Sequence, residues 1–218
     1  MRAIARFVGL DLRSMRPNAK YMIIPVAITG VPVLLFLGPY LLIPAMSSLA
    51  VASAPSYLFG NDERGRLDTL YTALGIPRPH VVAGRHATLL LLLIGLTITG
   101  VFLAAVSALA IDAAFEWEIA AALTAGSVVL VGVTLAAELP AYFGTGPGPV
   151  RTVAAIAPGV ILSVVFVGWA IPDVRTVLLS WMADANLAWL AAIAIAILGI
   201  SAAASVALSA RLYARRDL

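Results

Sequence analysis

Six apolar runs recur along the chain, each long enough to cross a bilayer. A hydrocarbon core about 30 Å thick is spanned by roughly 20 residues of α-helix. The runs lie at about 21–38, 40–59, 87–111, 119–142, 153–171 and 187–210, and none has a lysine or arginine in its interior. The pattern predicts an all-α integral membrane protein with six transmembrane helices, forming one transmembrane domain over 1–218. The first run is too long for a cleaved signal peptide, and five more follow it. Pro25, Pro32, Pro44, Pro55 and Pro158 fall inside the runs, where membrane helices tolerate them as kinks.

Three polar or amphipathic stretches lie between and before these spans. Over 1–17, Ile4, Phe7, Val8 and Met15 share one side of a helix, with Arg2, Arg6, Arg13 and Arg16 on the other. Such a basic amphipathic helix lies along a membrane surface, whether it serves only as an anchor or does more, and Pro17 ends it. Over 61–75, Leu67, Leu70, Tyr71 and Leu74 recur at helical spacing and form one apolar stripe. Asn61 is placed to cap this second helix, and Asp62 and Glu63 suit its first turn. Asp62 with Arg66, and Arg64 with Asp68, make i,i+4 pairs. Gly75 is placed as the residue past its end, with Pro77 just beyond. Pro79 suits the first turn of a helix that continues into the third span. Over 173–184, Val174, Val177, Leu178, Trp181 and Met182 have helical spacing, which reads as an interfacial or re-entrant helix; the alternative is an irregular loop.

Composition agrees with lipid as the solvent: 62% of the 218 residues are hydrophobic and 11% charged, against about a quarter charged in a soluble domain. The placement of the charges then orients the chain. Of the fourteen basic residues, thirteen fall on one side of the membrane: Arg2, Arg6, Arg13, Arg16, Lys20, Arg64, Arg66, Arg78, Arg85, Arg151, Arg211, Arg215 and Arg216. Only Arg175 falls on the other, so the positive-inside bias places both termini and the 60–86 loop in the cytoplasm. Trp117, Trp169, Trp181 and Trp189 all sit near the opposite interface, where their rings are favoured.

Several chemistries are excluded. Without cysteine there is no disulfide, thiolate metal site or cysteine nucleophile. No GxxxxGK[ST] loop occurs and Lys20 is the only lysine, so the chain does not hydrolyse ATP by itself. No GxSxG elbow or HExxH motif appears. His80 and His86 lack acidic partners at metal spacing and read as interface histidines. Glu138 is the one carboxylate clearly inside a span, about a turn from the cytoplasmic end. Intramembrane charges of this kind tend to be functional. Its depth also allows a structural role, which is the preferred reading over a proton relay or substrate contact.

Two local motifs now carry a resemblance. The first is Phe59-Gly60-Asn61-Asp62-Glu63-Arg64-Gly65, then Leu70-Tyr71, Leu74-Gly75-Ile76-Pro77-Arg78, Val81-Val82 and Gly84-Arg85. The second is Leu139-Pro140-Ala141-Tyr142-Phe143-Gly144, followed by Arg151. With six spans around them, these segments resemble the permease subunit of the ABC type-2 exporters, and within them the small permeases of phenol-soluble-modulin and other peptide exporters. Gly75 stands before Ile76-Pro77, where that family often has Leu-Pro, and His86 stands where an aromatic residue is common. Thr145 to Pro149 replace residues that are usually charged.

The resemblance implies a permease without an ATPase site of its own, paired with a second copy or a homologue. Separate ABC ATPase subunits would carry ATP and Mg, and this chain would bind no cofactor or metal and have no catalytic residue. Lipid and these subunits would be its partners, with no nucleic acid among them, in a bacterial plasma membrane. The helix over 61–75 would then be the coupling helix, with Asp62, Glu63, Arg64, Arg66, Leu67, Asp68, Leu70, Tyr71 and Leu74 toward the ATPase. Gly144 and Arg151 would belong to a second contact loop. The substrate would be amphipathic or apolar: a peptide, a lipid or a drug-like molecule. A haem-exporter-like permease and an ATPase-free membrane scaffold or immunity protein are the alternatives.

Overall fold

A computed structural model of the chain describes residues 2–18, 40–65, 67, 70–71, 75–146, 148, 150, 167–168, 171–183 and 186–215. Every regular element among them is helical. They are α1 (Arg2–Met15), α2 (Tyr40–Gly65), α3 (Arg78–Ala110), α4 (Trp117–Thr145), α5 (Pro172–Ala183) and α6 (Leu187–Ala214). Four of these, α2, α3, α4 and α6, are long and apolar enough to cross a membrane. The expected span over 21–38 lies outside the described residues, as does nearly all of the one over 153–171.

Proline and left-handed residues set the helix limits. α1 gives way to a 3-10 turn, Arg16–Asn18, at Pro17. α2 tightens to 3-10 geometry over Ala50–Ser53, because Pro55 has no N–H to donate and its ring crowds the preceding turn. Ala54 instead bonds back three residues to the Val51 carbonyl. α3 begins just after Pro77, with Pro79 in its first turn, and continues without a break into the apolar run, as expected. Its 33 residues make a rod about 50 Å long, well beyond the membrane's hydrocarbon thickness. At its far end Asp112 turns left-handed at φ 56°, and the Ala113 N–H closes on the Ala108 carbonyl at 2.9 Å. α4 stops at Gly146, whose φ of 79° favours glycine. Asn186 caps α6, accepting from the N–H groups of Ala188 at 3.0 Å and Trp189 at 3.3 Å.

Small residues let these helices approach. At Gly100 of α3, a Cβ would meet the Pro44 Cα at 2.8 Å and Ser47 Oγ at 2.7 Å, so α2 and α3 cross there nearly backbone to backbone. Leu198 rests on Gly132 and Leu212 on Gly144, so α4 and α6 run in the same direction. Ser48 donates to Ser127 at 3.0 Å, and the hydroxyls of Ser56 and Tyr142 bond at 2.8 Å, tying α2 to α4. The parallel run of α4 and α6 puts the exposed Trp117 and Trp189 at one end and Arg211 and Arg215 at the other. We call these the tryptophan end and the basic end.

The structure differs from the sequence reading at one boundary. Asn61 is not the N-cap of a new helix: α2 runs through it to Gly65. Its amide instead donates to the Ser14 carbonyl at 3.3 Å, joining α2 to the end of α1. The expected helix over 173–184 is present as α5 and packs along α4.

Candidate functional site at the basic end

The basic end is organised around a buried arginine. Arg85 lies two turns into α3 and is 1% exposed. Its Nη1 pairs with Asp11 Oδ1 of α1 at 2.9 Å, and its Nη2 pairs with Asp62 of α2. Both carboxylates are buried. The guanidinium lies over the rings of Phe7, at 5.5 Å, and Phe59, at 5.3 Å, which close it off as cation–π partners. One planar fork thus joins three elements, which a lysine's single ammonium does less well.

The flanking polar groups are satisfied within the same cluster. Thr88 shares its hydroxyl proton between Asp11 Oδ2, at 3.2 Å, and the Gly84 carbonyl, at 3.0 Å. The Tyr71 hydroxyl donates to Asp62 at 3.5 Å, and its ring meets Phe7 at 5.3 Å. Gly84 is packed directly beneath the Phe7 ring, leaving no room for a Cβ. Burial pushes the Asp11 carboxyl up to about 6; Arg85 and Thr88 oppose that rise, and the charge of Asp62 adds to it. Two carboxylates this close could have invited a metal ion, but the guanidinium occupies the cation's place. Among the described residues no group of three or more His, Asp or Glu could hold a metal.

An aromatic layer extends the cluster across the bundle. Phe59 stacks on Tyr142 at 4.8 Å and meets the edge of Phe143 at 5.0 Å. Phe143 in turn lies 5.3 Å from Tyr213 of α6. His86 donates from Nδ1 to the Val82 carbonyl at 2.9 Å, which leaves Nε2 to accept from Ser205 at 3.0 Å. Arg78, at the start of α3, donates to the carbonyls of Tyr213, at 2.8 Å, and Ala214, at 2.9 Å. This positive group at the end of α6 satisfies carbonyls that the helix leaves open.

The stretch between α2 and α3 is therefore anchored at both ends, by Asp62 on Arg85 and by Arg78 on α6. Within it the Ile76 N–H bonds to the Tyr71 carbonyl at 2.9 Å around Gly75, at φ 67°, the geometry of a Schellman stop. Gly75 thus has the role its position predicted.

The apolar and charged residues expected to face a partner divide between two sides. Asp62 and Tyr71 are buried, and Leu67 packs against the core. Glu63 and Arg64 are exposed, and Leu70 is 48% exposed. The side chains of Arg66, Asp68 and Leu74 lie outside the described residues, as does Arg151. Gly144 is half-buried against Leu212. Glu138 is buried in α4, and its Oε2 has no hydrogen-bond partner among the described residues.

Asp11, Arg85 and Thr88 were not among the expected site residues. One signal did exist. Phe7, Asp11 and Met15 follow at i, i+4 and i+8, so a lone acid sits in the middle of the apolar face of a basic helix.

Long apolar helices with segregated charge, joined at one end by a buried ion cluster, define a multi-pass α-helical membrane protein with a mechanically tied basic end. The chain belongs to the ABC-2 family transporter proteins: the family model matches residues 8–214, which takes in α2, α3, α4 and α6. It is thus an ABC-2 type permease, the membrane-embedded kind of ABC transporter component. No curated protein and no solved structure matches it.

Proposed function

We propose that this chain is the transmembrane subunit of an ATP-driven exporter. Two ABC ATPase subunits sit below its basic end, and a second copy or a homologue beside it. In this reading the basic end faces the cytoplasm of a bacterial cell, as the positive-inside bias expects, and ATP and Mg bind to the ATPase. The segment 62–74 is the coupling helix. Leu70, Glu63 and Arg64 form its outward side, while Asp62, Leu67 and Tyr71 root it in the permease. The substrate is an amphipathic or apolar molecule, in keeping with the scarcity of ionisable residues in the spans.

The observation that carries this reading is the double anchoring of that segment. A push on its outward side loads the Asp62–Arg85 pair and the Arg78 bonds to α6 together. Because Arg85 and Arg78 both belong to α3, the displacement passes into a membrane-crossing helix. An element can carry such work only if its contacts differ between two states. What the described residues of the site offer is a linkage.

Transport in vesicles containing the permease, with and without the ATPase encoded beside it, tests the proposal. Uptake of a fluorescent amphiphile should require both proteins and ATP. Uptake of the same size without any ATPase would sink it, and a purified chain carrying haem would favour the haem-exporter reading.

A further inference from the structure

A basic amphipathic helix ordinarily turns its apolar face to lipid, but in α1 that face is occupied by the protein itself. Phe7, Val8 and Met15 are buried, and the Phe7 ring packs on Gly84. Asp11 bonds to Arg85 at 2.9 Å and to Thr88 at 3.2 Å. What α1 turns outward is therefore charge. Arg2, Arg6 and Arg13 recur at i, i+4 and i+11, on the side opposite Phe7, Asp11 and Met15 in helical register. Arg16 follows in the closing turn, and the side chains of Arg13 and Arg16 are exposed. Asp11 is the only acid among residues 1–20, and it is buried on the other side. Among the described residues neither Arg13 nor Arg16 is in a salt bridge.

The level at which α1 is held shows what meets this row. It touches α3 at Gly84, Arg85 and Thr88. Those positions lie about 9–15 Å further along α3 than its first residue, Arg78. They coincide with the start of the apolar run at Ala87. This is the depth of the lipid headgroups, which fill roughly 5–7 Å on either side of the hydrocarbon core. Leu10 and Leu12 are exposed and border the arginine row on its two sides, so whichever flank faces the bilayer is apolar. An acidic protein surface would complement the arginines and leave those leucines unmatched, whereas a lipid interface supplies phosphate and acyl chain together.

We infer that the outer face of α1 binds anionic phospholipid, with Arg13 and Arg16 on the phosphate groups and the apolar flank of the helix against the acyl chains. A guanidinium presents parallel N–H donors that match phosphate oxygens. Each cation held at an anionic membrane surface strengthens the attraction about fivefold. Glu63 and Arg64 are exposed at the end of α2, just past the Asn61 bond to Ser14, and offset each other. The uncompensated charge is thus on α1. The inference rests on α3 crossing the membrane and not on an ATPase, so it fails or stands apart from the exporter reading.

The chain has no cysteine, so one added thiol reports cleanly. Gly9→Cys places it within the arginine row, where an added Cβ has nothing within 4 Å. The full chain, labelled there with bimane, is reconstituted into phosphatidylcholine vesicles that contain a minor share of brominated phosphatidylglycerol, or the same share of brominated phosphatidylcholine. Bromine quenches the dye only from lipids beside α1. Phosphatidylglycerol should be preferred there by at least about fivefold. Arg13→Gln with Arg16→Gln should lower that preference by at least about fivefold. Both side chains are exposed and only two of the thirteen basic residues on this side are changed, so the melting temperature should match the parent. Lysine at both positions, which keeps the charge, should restore most of the preference. Equal quenching by the two lipids in the parent overturns the site. So does a glutamine variant with the parent's preference, which would place the anionic lipid elsewhere, or a lysine variant as poor as the glutamine one. Loss of an associated ATPase from the glutamine variant, with no lipid preference in the parent, would make the row a protein-docking face instead.

Discussion

At Arg85 the balance of forces is decided by desolvation. A buried charge pair is a weak source of net stability, because removing both ions from water offsets their attraction. Removing only one member is costly, since the rest stay buried without a partner. Arg85→Ala should therefore destabilise the protein by about 3–5 kcal/mol, read as a large drop in melting temperature of the detergent-purified chain. Arg85→Lys should recover little of this, since one ammonium does not reproduce the fork that reaches both Asp11 and Asp62. A lysine variant as stable as the parent would mean that charge matters here and geometry does not. Asp112 offers the opposite case. It holds φ 56° at the end of α3, a conformation with a steric cost for any residue bearing a Cβ. Asp112→Gly should be neutral to stabilising, by up to about 1 kcal/mol; a lower melting temperature would show that the aspartate side chain earns its place there.

At the scale of elements, packing depends on where backbones touch. Gly100→Ala would push a methyl group against the Pro44 backbone at 2.8 Å, and a backbone atom yields less readily than the end of a side chain. A cost of about 1–3 kcal/mol is expected, whereas Gly95→Ala, with nothing within 4 Å of the added carbon, should cost nothing or stabilise slightly. Comparing the two melting temperatures checks the crossing of α2 and α3.

Elements of this kind were legible in the sequence to the extent that their signals are local. The four long helices follow from apolar run length, the union of the 60–86 loop's end with the third span from Pro79, and the stop at Gly75 from its position. Asn61 misled because its capping chemistry is real, but a helix that is already running has no need of a cap. Its amide found the Ser14 carbonyl instead. The Arg85 cluster was not legible because its members are far apart in the chain, and no spacing rule connects Asp11 with Arg85. Counted as one more basic loop residue, Arg85 helped to orient the chain, yet it is among the most deeply buried side chains described.

For the whole molecule, the two motifs that carried the family resemblance meet in space. Phe59 of the first stacks on Tyr142 of the second, and Asp62 and Arg85 belong to opposite ends of the first. The described residues of the basic end are therefore one connected body, from α1 through α2 and α3 to the ends of α4 and α6. The tryptophan end has no buried ion pair among the described residues, but Tyr40, Phe115 and Trp117 meet ring to ring there. Its links are lighter, such as the Tyr40 hydroxyl on the Ala114 carbonyl at 2.7 Å.

Whether an ATPase pushes on the segment 62–74 is tested most directly by co-purification. The tagged chain would be expressed with the ATPase encoded beside it, in parent form and as Leu70→Asp, a change on an exposed side chain that leaves the buried cluster intact. The account predicts that the ATPase is retained by the parent and lost from the variant, while the variant keeps the parent's melting temperature. Equal retention by both would contradict the placement of the coupling surface, and no association under any nucleotide condition would contradict the exporter itself.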